Sequence, residues 1–131
     1  MAEDLRHVIG RLQAFNSAHA PFAFERKDIR LFVRDASGEI LGGLLGNVGL
    51  HCLVIQILWV EDDHRRQGIG QSLVTEAEQQ AMALGAIQSI VETTSFQAPG
   101  FYEGLGYHII FEIADAPIGA KTVFLRKALS S

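Results

Sequence analysis

Apolar side chains in segment 3–19 recur at steps of three and four residues, as they do on one face of an amphipathic helix. We therefore predict a helix there, whose apolar face consists of Leu5, Val8, Ile9, Leu12 and Phe15. The apolar segment 20–24 that follows is predicted to be a loop.

The pattern then changes from the helical period to strict alternation. In segment 28–35, Ile29, Leu31 and Val33 alternate with charged neighbours, which is typical of a half-buried strand. The turn-forming residues Asp-Ala-Ser-Gly-Glu come next, so segment 40–49 is predicted to return as the second strand of a hairpin.

Segment 51–61 is nearly continuous in apolar residues, which favours a central strand covered on both faces. From Ile69 to Leu84 the helical period returns, and Gly85 supplies a typical helix end. Trp59, within the apolar run, is interpreted as a core residue.

The last third predicts a strand over 86–93, a short helix in 99–106 and two strands over 107–113 and 121–129. The last two strands are expected to pair antiparallel, because no helix-length crossover separates them. This order of elements predicts an α/β (α+β) sandwich on a mixed, mostly antiparallel sheet of about six strands flanked by helices.

The composition fits one globular domain over residues 1–131, since 48% of the residues are hydrophobic. A formal charge of −4 argues against a nucleic-acid partner, which would require a basic face. Cys52, the single cysteine, is interpreted as a buried and inert thiol. Without a secretory signal or a membrane span in the sequence, we expect a soluble cytoplasmic protein.

Candidate chemistry is concentrated at the start of the second long helix, where Gly68 and Gly70 stand one residue apart. The first amide groups of a helix have no intrahelical partner and carry the positive end of the helix dipole. Small residues there let an anion approach, and Arg65 and Arg66 add positive charge. A tight turn that requires small residues would explain the glycines equally well.

Other motifs for this corner do not match. A dinucleotide fingerprint would need a third small residue where Leu73 stands, and no P-loop Gly-Lys-Ser/Thr occurs. The chain has no HExxH, CxxC or GxSxG, and its histidines lack metal-ligand spacing, so no metal is expected.

Two stretches resemble the GNAT superfamily of acetyl-CoA-dependent N-acetyltransferases. RRQGIG resembles the family's Arg/Gln-x-x-Gly-x-Gly/Ala loop between strand and helix, and FQAPGFYEGLGY resembles its carboxyl-terminal block. The resemblance covers about residues 30–128 and implies a sheet with a central splay that admits acetyl-CoA as co-substrate.

The resemblance also implies which residues bind the cofactor. The backbone at 58–60 would pair with the pantetheine arm, and the glycine corner would hold the pyrophosphate. The expected cofactor-binding residues are Leu58, Trp59, Val60, Arg65, Arg66, Gln67, Gly68, Ile69, Gly70 and Gln71.

For catalysis, the resemblance places Tyr102 as the acid that protonates the leaving CoA thiolate, with packing on the short helix as its alternative role. Glu92 is the candidate base, or else a solvated strand end. Glu61, His51, Glu103 and a water chain stay open as alternatives. The strand carboxylate that serves as base in some relatives is absent, since Gln56 is the only polar residue in that region. Asp62 and Asp63 are expected in a solvated loop.

The expected activity is direct transfer of an acetyl group to a primary amine of a small molecule or peptide. A non-catalytic acyl-CoA-binding sensor or partner-binding domain of the same fold is the main alternative, and an unrelated phosphate-binding module is another. We also expect a homodimer, because a small mixed sheet exposes its edge strands.

Overall fold

The computed structural model describes residues 1–20, 25–65, 67–97 and 99–130. The elements in these ranges are α1 (Ala2–His19), β1 (Lys27–Arg34), β2 (Ile40–Gly49), β3 (Cys52–Val60), α2 (Ile69–Ala83), β4 (Gln88–Thr94), α3 (Pro99–Glu103), β5 (His108–Ala114) and β6 (Lys121–Ala128). A single 3₁₀ turn, Asp62–His64, precedes α2. Each element predicted from the hydrophobic pattern is present, close to its expected bounds. Most of the predicted loop 20–24 lies outside the described residues.

The strands form one six-stranded sheet in the order β1-β2-β3-β4-β6-β5. Only β3 and β4 pair in parallel, and the other neighbouring strands, including the final pair β5 and β6, are antiparallel. The predicted mixed, mostly antiparallel sheet is therefore confirmed. The parallel pair requires a crossover, and α2 supplies it.

The core lies on one face of this sheet. Helix α2 packs across β1, β2 and β3, and α3 contacts β5 and β6. The apolar side chains buried between them form one cluster, in which Leu44, Leu53 and Leu125 are fully inaccessible to solvent. Both helices that shape the region near the glycine corner are thus held by the same core.

A buried polar network ties α2 to the carboxyl-terminal strands. The Tyr107 hydroxyl donates to Glu78 Oε2 at 2.8 Å and lies 2.7 Å from Ser89 Oγ. Lys127 Nζ donates to Glu78 Oε1 at 2.9 Å, so the carboxylate has a cationic partner. Burial, the main cause, raises the pKa of the Tyr107 phenol, which is consequently a hydrogen-bond donor at neutral pH.

The prediction that the central strand is covered on both faces is wrong for the second half of β3. Ile57 and Trp59 are 54% and 45% exposed, on the face opposite α2, so Trp59 is not the core residue that the sequence suggested. The β2–β3 pair has a register irregularity between Leu45 and Gly46. At this point the face of β3 that is buried shifts by one residue along the chain. Beyond it, Leu58 packs against the core, while its two neighbours point to the uncovered side.

Helix α1 has the predicted amphipathic pattern, yet none of its 18 residues is buried. Among the described residues, no helix is both long and apolar enough to cross a bilayer. Cys52 is partly buried, and burial raises the pKa of its thiol, which disfavours the reactive thiolate.

Candidate active site

Strands β3 and β4 separate halfway along their length. Their pairing runs from Cys52–Gln88 to Ile55–Val91 and then stops, although β3 continues to Val60 and β4 to Thr94. Within the described residues, the β4-facing edge of segment 56–60 therefore has no strand partner, and its N–H and C=O groups are free to bind a ligand. The predicted central splay is present.

A cleft of about 890 Å³ occupies this splay. Such a volume lies within the range of small-molecule and cofactor sites. Its walls are the second half of β3, the beginning of α2, the end of β4, and Phe101 and Tyr102 of α3. The cleft brings the glycine corner and the carboxyl-terminal motif into one site.

The two glycines of the corner serve different purposes. Gly68, the residue that precedes α2, has a φ of +81°, a left-handed conformation that favours glycine, and a Cβ there would meet open space. A Cβ on Gly70 would lie 3.1 Å from Cζ of Phe101, so this glycine allows α3 to pack closely against α2. Among the residues that the structure describes, no side chain caps α2, and its first turn contains no acidic residue, so that end is electropositive.

The expected cofactor-binding residues are only partly brought together. Leu58, Trp59, Val60, Arg65, Gly68, Ile69, Gly70 and Gln71 line the cleft. Gln67 is not part of the wall, and its Oε1 lies 3.2 Å from Nδ1 of His64. Arg66 lies outside the described residues.

Arg65 is anchored beside the cleft. Its guanidinium pairs with Asp62 at 2.9 Å, and its Nε donates to the Val60 carbonyl at 3.4 Å. The Arg65 and Asp62 side chains are 62% and 79% exposed, so this ion pair is worth no more than about 1 kcal/mol. The guanidinium can exchange its partner for an anionic ligand at little cost. Asp62 and Asp63 are exposed, as expected of a solvated loop.

Tyr102 lies in the cleft wall with only 7% of its surface exposed. Its ring makes edge contacts with Phe101 and Tyr107, at centroid distances of 5.1 and 5.7 Å. Burial raises the pKa of the Tyr102 phenol to about 12. The hydroxyl is therefore protonated across the physiological range and can act as a proton donor.

Glu92 of β4 lines the cleft and is exposed. The other groups considered as a base are placed differently: His51 lies in the β2–β3 turn at the opposite end of β3, and Glu61 and Glu103 are not in the cleft wall. Among the described residues, Glu92 is consequently the carboxylate that lines the cleft.

Sequence reasoning missed several residues of the wall, among them His64, Thr93, Phe96 and Gln97. Gln97 Oε1 accepts hydrogen bonds from the Thr94 amide at 3.2 Å and from the Thr93 hydroxyl at 3.3 Å, which fixes the loop after β4. No spacing rule marks these residues, because a loop and a strand end bring them to the cleft.

Comparison with known proteins agrees with this geometry. The family model described as acetyltransferase (GNAT) family matches residues 4–107. A blasticidin-S acetyltransferase of Streptomyces morookaense is 36% identical over 131 aligned residues, which cover 91% of this chain and 96% of that protein.

Solved structures show the same fold. A crystal structure of an acetyltransferase from Bacillus cereus superposes with a TM-score of 0.90 at 27% identity, covering 98% of this chain and 94% of that one. A Bacillus anthracis acetyltransferase solved in complex with acetyl coenzyme A has a TM-score of 0.71 at 16% identity, covering 87% of this chain and 68% of that one. This chain, with its splayed sheet and a helix that begins directly after Gly68, belongs to the GNAT family of acetyltransferases.

Proposed function

We propose that this protein transfers the acetyl group of acetyl-CoA directly to a primary amine. The observation that carries the proposal is that the unpaired edge of β3, the beginning of α2 and the buried phenol of Tyr102 open into one cleft. A donor bound along that edge would have its thioester close to a proton donor.

The described residues fit acetyl-CoA. Pantetheine carries amide groups that can pair, like a strand, with the backbone of Leu58, Trp59 and Val60. The pyrophosphate fits the free amide groups at the start of α2, from Gly68 to Gln71, with Arg65 beside them. The complex of a GNAT-fold protein with acetyl coenzyme A supports this choice of donor. Arg66 and Gln67 belong to the same proposed loop site by their sequence position.

The reaction requires one bond to form and one to break. The neutral amine nitrogen attacks the thioester carbonyl carbon, a C–N bond forms, and the C–S bond breaks to release the CoA thiolate. A backbone N–H near Val60 polarises the carbonyl oxygen during the attack.

Two protons move in this reaction. The Tyr102 hydroxyl donates one to the departing thiolate, which it can do because its raised pKa keeps it protonated. Glu92 accepts the proton that the amine loses, directly or through a water molecule. Tyr102 and Glu92 thus act as the acid and the base.

The acceptor is a small molecule or peptide with a free amine. A relative that is 36% identical over nearly its whole length is named for blasticidin S, so that compound is the first acceptor to test. The negative formal charge of the chain, −4, suits a protonated amine on approach.

The decisive assay incubates the protein with acetyl-CoA and a thiol reporter, with and without each member of an amine panel that begins with blasticidin S. Amine-dependent release of CoA is the expected result. Release that no amine accelerates, in a protein that still binds acetyl-CoA by calorimetry, would instead support the non-catalytic sensor.

A further inference from the structure

Within the described residues, no helix packs on the face of the sheet opposite α2, and several large apolar side chains are exposed there. Phe32, Gly43 and Trp59 are paired across β1, β2 and β3 and therefore share one face. A Cβ on Gly43 would touch the Phe32 ring at 3.2 Å, whereas one on Gly42 would touch Ile69 of α2 at 3.1 Å. The two glycines thus distinguish the packed face from the open one.

The open face continues onto the other half of the sheet. Phe111 stacks on Phe124 at a centroid distance of 4.3 Å. Phe124 is paired with Glu92 of β4, and the preceding residue, Val91, is buried in the core. Because side chains alternate along a strand, Glu92 and Phe124 lie on the face opposite the core. We define the open face by its large apolar side chains that are 45–54% exposed, Phe32, Ile57, Trp59, Phe111 and Ile113.

Helix α1 presents a second uncovered apolar surface. Its five apolar side chains are 46–64% exposed, and within the described residues it makes only sparse contacts with any other element. A helix of this kind is stabilised mainly by packing its apolar face, so this face requires a cover.

Helix α1 has a counterpart in an experimental structure. The superposition on the Bacillus cereus acetyltransferase covers 98% of this chain at a TM-score of 0.90. Because α1 makes up 18 of the 131 residues, such an alignment must include most of it. The helix is therefore part of the fold that the two proteins share.

We infer that the cover is a second copy of this chain: α1 of each protomer packs its apolar face on the open face of its partner. The exchange is reciprocal, so both surfaces are buried by one two-fold operation. A partner of another kind would have to carry both a helix that fits the open face and a surface that fits α1. A second copy of this chain carries both.

The area is sufficient for a stable pair. A large apolar side chain carries roughly 100 Å² of apolar surface. Ten such side chains per chain, each about half exposed, present roughly 500 Å² of apolar surface per protomer, or about 1,000 Å² for the pair. A biological interface is expected to bury at least about 1,000 Å² in total, and polar and backbone atoms would add to this area.

The exchange also completes the cleft. Ile57 and Trp59 belong both to the open face and to the cleft wall, and Glu92 lies between them and Phe124. The partner's helix would then form a wall on the acceptor side, a consequence that rests on the proposed acetyl transfer. The association itself does not depend on that transfer.

The test measures molecular mass in solution by sedimentation equilibrium. Wild-type protein should have twice the chain mass of 14.3 kDa, and Leu12→Glu should weaken association at least a hundredfold while helix content stays the same. The matched control Ala14→Glu adds the same charge to the side of α1 away from these five apolar residues and should remain dimeric. A wild-type mass of one chain at all concentrations, a dimeric Leu12→Glu, or a monomeric Ala14→Glu would each overturn the proposal.

A second variant tests the reciprocal arrangement. Phe32→Glu changes the open face and should also dissociate the dimer. A mixture of Leu12→Glu and Phe32→Glu chains should associate more tightly than either alone, because the mixed pair retains one unaltered helix–sheet contact. If Phe32→Glu stays dimeric, or if mixing restores nothing, the helix does not pack on the partner's sheet.

Discussion

Tyr102 shows how one residue's surroundings decide its chemistry. The chain has two tyrosines, both buried and in edge contact with each other, but only Tyr102 lines the cleft. Tyr107 uses its hydroxyl to hold Glu78, whereas Tyr102 belongs to the wall of the cleft in which the donor thioester is proposed to lie. The two residues therefore form a natural pair of test and control.

Tyr102→Phe removes the proposed proton donor and keeps the ring. We expect kcat to fall by about 10²- to 10⁴-fold, the usual contribution of general acid catalysis, with little change in acetyl-CoA affinity. In the control Tyr107→Phe, stability should fall by about 1 kcal/mol while kcat changes little. Wild-type turnover by Tyr102→Phe near pH 7 would show that this residue only packs.

The pH profile follows from the raised pKa of Tyr102. Because the folded value of about 12 lies above the ordinary value of 10, the fold favours the protonated phenol. Its contribution to stability is present below pH 10 and is lost as the pH rises through about 12. We expect kcat/KM to rise as the acceptor amine loses its proton, with no descending limb below about pH 11. A descending limb near pH 9 or 10 would indicate an acid other than Tyr102.

Gly68→Glu tests the anion site at the glycine corner. A carboxylate there would occupy the place of the pyrophosphate and repel it, so acetyl-CoA affinity measured by calorimetry should fall about a hundredfold or more. Gly38→Glu is the matched control, because Gly38 also has a left-handed φ, +92°, and open space around a Cβ, but lies in the β1–β2 turn. Both variants incur similar backbone strain of about 1–2 kcal/mol. Equal affinities would mean that the corner is only a turn.

Among the elements, hydrophobic periodicity predicted nearly every helix and strand. A helix and a strand place residues on one face at different spacings, so the spacing of apolar residues indicates which of the two forms. The pattern does not show which surface covers an apolar face. It therefore predicted Trp59 to be a core residue, although its side chain is exposed, and it did not show that α1 has no buried residue. The glycine corner and Tyr102 were found through motifs. His64 borders the first motif and Gln97 lies within the second, but no spacing identified either of them as a cleft residue. The pairing of Glu78 with Tyr107 and Lys127 was invisible in the sequence, since its members are far apart along the chain.

The contact of α2 with β6 through Glu78 and Lys127 should be important for stability. Lys127→Met would leave a nearly buried carboxylate without its cation, and we expect the free energy of unfolding to fall by about 3 kcal/mol. The measurement is the urea midpoint at unchanged slope. Lys121→Met is the control on the same strand, because its pair with Glu112 is exposed and should contribute less than about 1 kcal/mol. Equal losses in the two variants would contradict the importance of this network.

At the scale of the whole molecule, one core on one side of the sheet holds α2 and α3 against the splay. The separation of β3 from β4 leaves backbone groups of segment 56–60 available. In the proposed arrangement, α1 of a second chain and the acceptor would both use the other side of the sheet. Donor and acceptor would thus approach the splay from opposite faces and meet between Tyr102 and Glu92.

The most direct test of this account follows the acetyl group itself. The protein is incubated with acetyl-CoA carrying ¹³C in the carbonyl and with the amine that most accelerates CoA release, and the products are analysed by mass spectrometry and NMR. We expect one labelled acetyl group per acceptor, bound to nitrogen as an amide, in an amount equal to the CoA released. Label recovered only as free acetate, on oxygen, or still on CoA would contradict the proposed N-acetyl transfer.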